Sequence, residues 1–142
     1  MNDEQFKGIF KDYMKRKGFK CKKDNCYYWI DDTIIVVGLQ KSQWGNDYYI
    51  RYGFSLRSLH KNNEYPKINE CGICGGFNSE IMNNTVYPLE DLDEDMLLSS
   101  IDRNYNERVG IVISDGLMKY FSVYPQAISA ARKSLKDGLN LS

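Results

Sequence analysis

An α+β fold is what this sequence predicts: an N-terminal helix, an antiparallel meander of about four strands, and C-terminal helices packed on the sheet. Three observations carry that reading. Apolar residues recur at helical spacing over Phe6–Met14, side chains alternate strictly over Tyr48–Arg57, and helical spacing returns after Pro88.

The first helix spans residues 3–17. Phe6, Ile9, Phe10, Tyr13 and Met14 form one face. Asn2 with Gln5 three residues later makes a capping box, and Asp3 and Glu4 suit the positive end of the helix dipole. Lys15, Arg16 and Lys17 load the last turn, Gly18 reads as a left-handed C-cap, and Phe19 folds back on the helix. From Cys26 to Ile30 the chain is aromatic and β-prone, Asp31-Asp32 reads as a turn, and Thr33–Gln40 is rich in β-branched residues. A second turn covers Ser42–Asp47. In the next strand Tyr48, Ile50, Tyr52, Phe54 and Leu56 point one way, and Tyr49, Arg51, Gly53, Ser55 and Arg57 the other. A polar loop over 58–69 leads to a fourth strand over Cys71–Phe77.

Pro88 opens an acidic helix start, with Leu92, Met96, Leu97, Ile101 and Tyr105 at helical spacing. Residues 109–124 can be read two ways. Ser114-Asp115-Gly116 is a hairpin signal, yet Val109, Val112, Ile113, Leu117, Tyr120 and Phe121 close on one helical stripe, and helix is the reading adopted. Pro125 then opens a last helix that runs to the C-terminus. No repeat or linker divides the chain, so residues 1–142 are read as one domain.

Composition narrows the classes. A chain of 142 residues can bury about 70% of its unfolded surface, so it needs no metal or disulfide staple. With 42% hydrophobic and 27% charged residues it is globular, and it holds no apolar run long enough for a membrane span. Met-Asn-Asp-Glu-Gln is no signal region, which points to the cytoplasm. Nineteen basic residues balance nineteen acidic ones, which argues against a uniformly basic nucleic-acid binder. The balance hides unequal parts, however. Residues 1–25 carry a net +4, residues 26–79 are neutral, residues 80–108 carry −6 and residues 109–142 carry +2.

The chemistry-bearing residues are few. Cys21, Cys26, Cys71 and Cys74 form two pairs, and four thiolates suit tetrahedral zinc. In a flat strand, though, cysteines three apart point to opposite faces. Free thiols are therefore preferred to zinc, zinc to a disulfide, and no cofactor is assigned. His60 is the one imidazole and lies in a polar loop without a nucleophile motif, so no catalytic set is assigned. The run Glu90–Asp95 lacks the pattern of a calcium loop and reads as a solvated helix start.

The second face of the sheet, carrying Tyr27, Trp29, Gly38, Gln40, Tyr49, Arg51, Gly53, Ser55 and Arg57, is the main candidate surface. Its glycines mark close approach of another group. Two readings compete: a shallow cleft in which Arg51 or Arg57 grips an anion beside Gln40, Tyr49 and Lys41, or a face covered by the C-terminal helices. The covered reading is preferred, and leaves Lys41, Ser42 and Trp44 in the turn as the functional end. Trp44 is there either a lid on the core edge or an exposed anchor for a partner.

The stretch Gln40-Lys41-Ser42-Gln43-Trp44-Gly45, followed by Tyr48-Tyr49-Ile50, resembles a bacterial family known as domain of unknown function family 4304. Lys17-Gly18-Phe19-Lys20 at the helix end and the aromatic strand before an acidic turn resemble it too. The likeness covers roughly the first 80 residues well and the rest in outline. It implies the α+β fold and a bacterial cytosolic setting, and supplies no mechanism. Where the resemblance implies a Cys-x-x-Arg-Gly strand, this chain has Cys71-Gly72-Ile73-Cys74-Gly75-Gly76, so a role for that arginine does not carry over.

The function expected is binding to another protein, of an accessory or toxin-neutralising kind, through Gln40, Lys41, Ser42, Trp44, Tyr49, Arg51 and Arg57. A small-ligand or anion-binding domain, even a weak enzyme, on the polar sheet face is the alternative. RNA binding through Lys15, Arg16 and Lys17 comes third, and no membrane partner is expected.

Overall fold

The computed structural model describes residues 1–81 and 84–141. Helix α1 runs Asp3–Arg16, and its ends follow from side chains. The Asn2 side chain accepts from the Gln5 N–H while Gln5 accepts from the Asn2 N–H, both predicted donors being satisfied. At the other end Gly18 takes φ +91°, its N–H reaching Lys15 and that of Phe19 reaching Met14. This is the double bond pattern of a Schellman cap. Phe6, Phe10 and Met14 are wholly buried.

Six antiparallel strands follow: β1 (Lys20–Lys22), β2 (Asn25–Ile30), β3 (Thr33–Lys41), β4 (Asp47–Leu56), β5 (Ile73–Gly76) and β6 (Tyr87–Pro88). The order is β1-β2-β3-β4-β5, with β6 pairing β4 beyond β5. The predicted four-strand meander is β2 to β5, and two short strands extend it. Register puts Ile35 opposite Phe54, Val37 opposite Tyr52 and Gln40 opposite Tyr49. Partners across an antiparallel pair share a face. One face therefore carries Ile35, Val37, Ile50, Tyr52 and Phe54, and the other Ile34, Val36, Gln40, Tyr49 and Arg51.

The helices all pack on the first face. Helix α2 (Glu94–Asn104) continues through a π turn (Tyr105–Val109) into α3 (Gly110–Asp115), then α4 (Leu117–Val123) and, after a 3-10 stretch at Pro125–Ala130, α5 (Lys133–Leu139). Helix, not hairpin, is thus the state of residues 110–123, and Gly116 at φ +91° serves as the break between two helices. The single last helix predicted from Pro125 is instead two pieces, because Ala131 and Arg132 are extended. It ends at Leu139, where Asn140 in the left-handed region caps it, so the predicted continuation fails over residues 140–141, and Ser142 lies outside the described residues. Met96, placed on the buried stripe of α2, is 41% exposed, while Leu97, Ile101 and Tyr105 are buried. Polar ties lock this layer: Tyr13 donates to Asp102 at 2.7 Å, the Tyr87 hydroxyl meets Ser100 Oγ at 2.7 Å, and Asn104 bridges both Asn78 and Ser100.

The second face overturns the preferred expectation. Among the described residues no helix of the C-terminal layer covers it. The connection from Arg57 to Gly72 folds across instead, seating Tyr65, Ile68 and Cys71 on Tyr27, Trp29, Ile34 and Val36. It is held down by Trp29 Nε1 donating to the Glu64 carbonyl, by Tyr27 donating to that of Tyr65, and by Lys20 Nζ on the Tyr65 hydroxyl. The two strand glycines do make room, Gly53 for this connection and Gly38 first for the Asn25 side chain of β2 and then for the connection. A Cβ on Gly38 would stand 3.0 Å from Ile68 Cδ1, and one on Gly53 would stand 2.8 Å from Cys71 Sγ.

Candidate functional site

The cover stops short of one end of the second face. There Gln40 and Tyr49 sit opposite each other across β3 and β4, and Arg51 lies between Gly38 of β3 and Gly76 of β5. With Gly75, Gly76 and Thr85 they line a cleft of about 420 Å³. Gly76, paired with Arg51, keeps a side chain out of that wall, whereas a side chain on Gly75 would point to the first face, at Tyr52. Arg51 as a residue is half-buried, and the contact its guanidinium makes is to the exposed thiol of Cys74 at 3.7 Å. No carboxylate lies within ion-pair distance of it among the described residues.

The other named residues do not join this cleft. Lys41 follows Gln40, so it points to the opposite face, where its Nζ holds Asp3 at 2.9 Å. The Tyr48 hydroxyl donates to the same carboxylate oxygen at 2.8 Å. The hydrogen bond from Lys41, with that from Tyr48, holds the Asp3 carboxyl below its ordinary value. Burial, then the nearby Asp3, raises the Tyr48 phenol to about 12. Arg57, just past the end of β4, faces Glu64 at 3.8 Å.

Ser42 shapes the turn: its N–H bonds the Asp47 carbonyl and its Oγ accepts from the Trp44 N–H. Trp44 itself is 93% exposed. Of the two sequence readings of this indole, the lid on the core edge is excluded. From Gln40 to Gly45 not one residue is buried.

Sequence reasoning missed a pair under the cover. Ser55 Oγ and His60 Nε2 lie 2.8 Å apart, because the 3-10 turn at Arg57–Leu59 swings His60 back over the strand. A hydroxyl beside an imidazole is the start of a nucleophilic site. Ser55, however, is 1% exposed, so no substrate carbonyl reaches it, and the pair satisfies two polar groups beneath the connection.

The cysteines also depart from expectation. Cys21 and Cys26 are directly opposed in the β1–β2 hairpin and joined by a disulfide, the option ranked last from sequence. The positive φ of Lys23 lets the two-residue turn place them so. Cys71 is buried against Gly53, and burial lifts its thiol to about 12. The four-cysteine zinc arrangement is therefore not formed, and no group of three or more metal-ligating side chains occurs among the described residues.

The basic residues of α1 are not paired with the acidic run Glu90–Asp95 among the described residues. Lys7 and Lys11 turn to Asp24, Arg16 pairs with Asp12, and Lys17 lies over the Tyr13 and Tyr105 rings. Glu4, Asp93 and Glu94 rim a groove of about 500 Å³ between α1 and α2, floored by Gly8, Ile9 and Leu92. No ion pair joins residues 90–95 to α1 among the described residues. No helix in the described residues is long and apolar enough to cross a membrane.

Comparison with known proteins adds one positive result. A family model described as "Domain of unknown function (DUF4304)" matches residues 10–123. Nothing matches among the curated proteins or the solved structures.

Proposed function

The chain belongs to the DUF4304 family, whose description carries no activity, and we propose from its own surface that it is a protein-binding module. The part offered to the partner is Trp44, at the tip of the β3–β4 hairpin. The observation that carries this reading is the 93% exposure of that indole. An aromatic side chain left in water by the fold is available to be buried by something else, and a tryptophan anchor is worth about 2 kcal/mol or more at an interface.

The tip is also held in shape. The Ser42 N–H bonds the Asp47 carbonyl, the Ser42 hydroxyl accepts from Trp44, and the Leu89 N–H reaches the Asn46 carbonyl. A preordered loop loses less entropy on docking. The partner is a protein surface with an apolar socket for the indole and polar groups around it for Lys41, Gln43 and Asn46. An accessory or toxin-neutralising role in the bacterial cytosol is the setting proposed. In that reducing compartment Cys21 and Cys26 would be thiols, and neither belongs to the tip.

Affinity capture with the tagged full chain tests the reading. Trp44→Ala melts within about 2 °C of the unaltered protein, since an exposed side chain contributes little to stability, and it loses a protein that the unaltered chain retains. Equal retention by both would refute the tip as anchor, and a large fall in melting temperature would mark Trp44 as structural.

A further inference from the structure

The cleft at the uncovered end of the second face makes a separate demand. Arg16, Arg57 and Arg103 each pair with a carboxylate, Arg108 lies over the Tyr124 ring, and Arg132 donates to the Asn69 carbonyl. Among the described residues Arg51 alone of the arginines has no carboxylate, carbonyl or ring as partner, and it lines a cavity with a thiol as its contact. A guanidinium at a cleft wall with no anion beside it favours an anionic guest.

We propose that this cleft is a binding site for a small monocarboxylate with a planar apolar body. The fork of Arg51 matches a carboxylate with two parallel hydrogen bonds. The Gln40 amide and the Thr85 hydroxyl stand on the rim to donate or accept, and the Tyr49 ring with the bare backbone of Gly75 and Gly76 offers flat walls. Charge sets the class. Lys41, the cation nearest in sequence to the cleft wall, is committed to Asp3 on the opposite face, and among the described residues no lysine or second arginine lines the cavity. One positive charge neutralises one negative charge, so a carboxylate fits and a phosphate dianion leaves charge uncompensated. Size sets the upper bound, since about 420 Å³ lies near the small end of ligand pockets. The site shares no lining residue with Trp44, so it stands or falls apart from partner docking.

Cys74 supplies the readout. Of the four cysteines, two are bonded, Cys71 is buried and Cys74 is exposed beside Arg51. The full chain is titrated with benzoate, benzamide and inorganic phosphate. Iodoacetamide alkylation of Cys74 is followed by mass spectrometry, and the amide resonances of Gly75 and Gly76 by NMR. Benzoate is expected to slow alkylation and shift both amides, saturating at roughly 1–10 mM, which is what about nine heavy atoms reach at ordinary ligand efficiency. Benzamide and phosphate leave both readouts unchanged at the same concentrations. Arg51→Gln, which folds as judged by an unaltered melting curve, weakens the benzoate effect about tenfold or more. No saturable benzoate effect on either readout overturns the proposal, as does an equal effect of benzamide or persistence in Arg51→Gln. Tighter response to phosphate overturns the monoanion assignment.

Discussion

On one face of the sheet Ile35, Val37, Ile50 and Phe54 lie under α1 and the C-terminal helices; on the other, Ile34 and Val36 lie under a connection that contains only three-residue 3-10 turns. The same two strands supply both sets. What differs is the cover. The helical layer brings Phe6, Phe10, Leu97 and Ile101 from continuous stripes, while the connection brings Tyr65, Ile68 and Cys71 singly, each seated on a glycine gap or an aromatic ring. A cover made of single contacts ends where the contacts end. Past Ile68 and Gly38 there is none, and there Gln40, Tyr49 and Arg51 open to solvent. The site is thus a consequence of incomplete cover on a face that the strands have only half furnished with apolar residues.

The sharpest way to break this contrast is to remove one side chain from each layer. Phe10, brought by the helical layer, is wholly buried, and Phe10→Ala should cost about 3–5 kcal/mol. Ile68 is half-buried, and Ile68→Ala should cost only about 1–2 kcal/mol by the same rule scaled for burial. Urea unfolding of both variants measures the difference. Equal losses would mean that the connection is as much a core element as the helices.

A glycine tests the seat of the connection with a somewhat smaller effect. The Cβ of valine at position 53 would press on Cys71 Sγ at 2.8 Å and on its Cβ at 2.9 Å. Gly53→Val should lose about 1–3 kcal/mol by overpacking and lift the connection locally. Cys71, buried with its thiol raised to about 12, should then become open to alkylation at neutral pH, while the helical layer keeps its far-ultraviolet signal. Continued protection of Cys71 would show that the strand, and not the connection, gives way.

The two faces were unequally legible in the sequence for the same reason. Stripes and alternation are periodic, so α1 with its caps, the two faces of β4 and the helical state of 110–123 could all be read from residue spacing. The cover from Arg57 to Gly72 is aperiodic. Gly38 and Gly53 announced that something approaches closely, but no pattern in Tyr65, Ile68 and Cys71 announced that it was their own connection. Strands of two and three residues, β6 and β1, fall below any period, and with β1 went the register that opposes Cys21 to Cys26. The pairing of Ser55 with His60 depends on one 3-10 turn. At the site, alternation along β4 correctly put Tyr49 and Arg51 on one face with Gln40. The same alternation should have removed Lys41 from that set, since neighbours in a strand point apart.

That parity leads to the smallest effect. Lys41 and Arg51 are cations on opposite faces, one engaged and one facing a cavity. The Asp3 carboxyl beside Lys41 and Tyr48 sits below its ordinary value of 3.8, so it favours the folded state once ionised. A group lowered on folding contributes stability above its unfolded pKa and loses it as pH falls through the folded one. The window therefore lies below about pH 4. Asp3→Asn should lower the melting temperature slightly at neutral pH and flatten the decline between about pH 4 and pH 2 relative to the unaltered chain. High salt should shrink the gap, because the pair is exposed to solvent. Arg51→Gln, having no carboxylate to release, should leave the acid limb of the melting profile unchanged. A loss of acid sensitivity in Arg51→Gln as large as that in Asp3→Asn would mean that Arg51 already holds an internal anion, and the two faces would no longer differ in this respect.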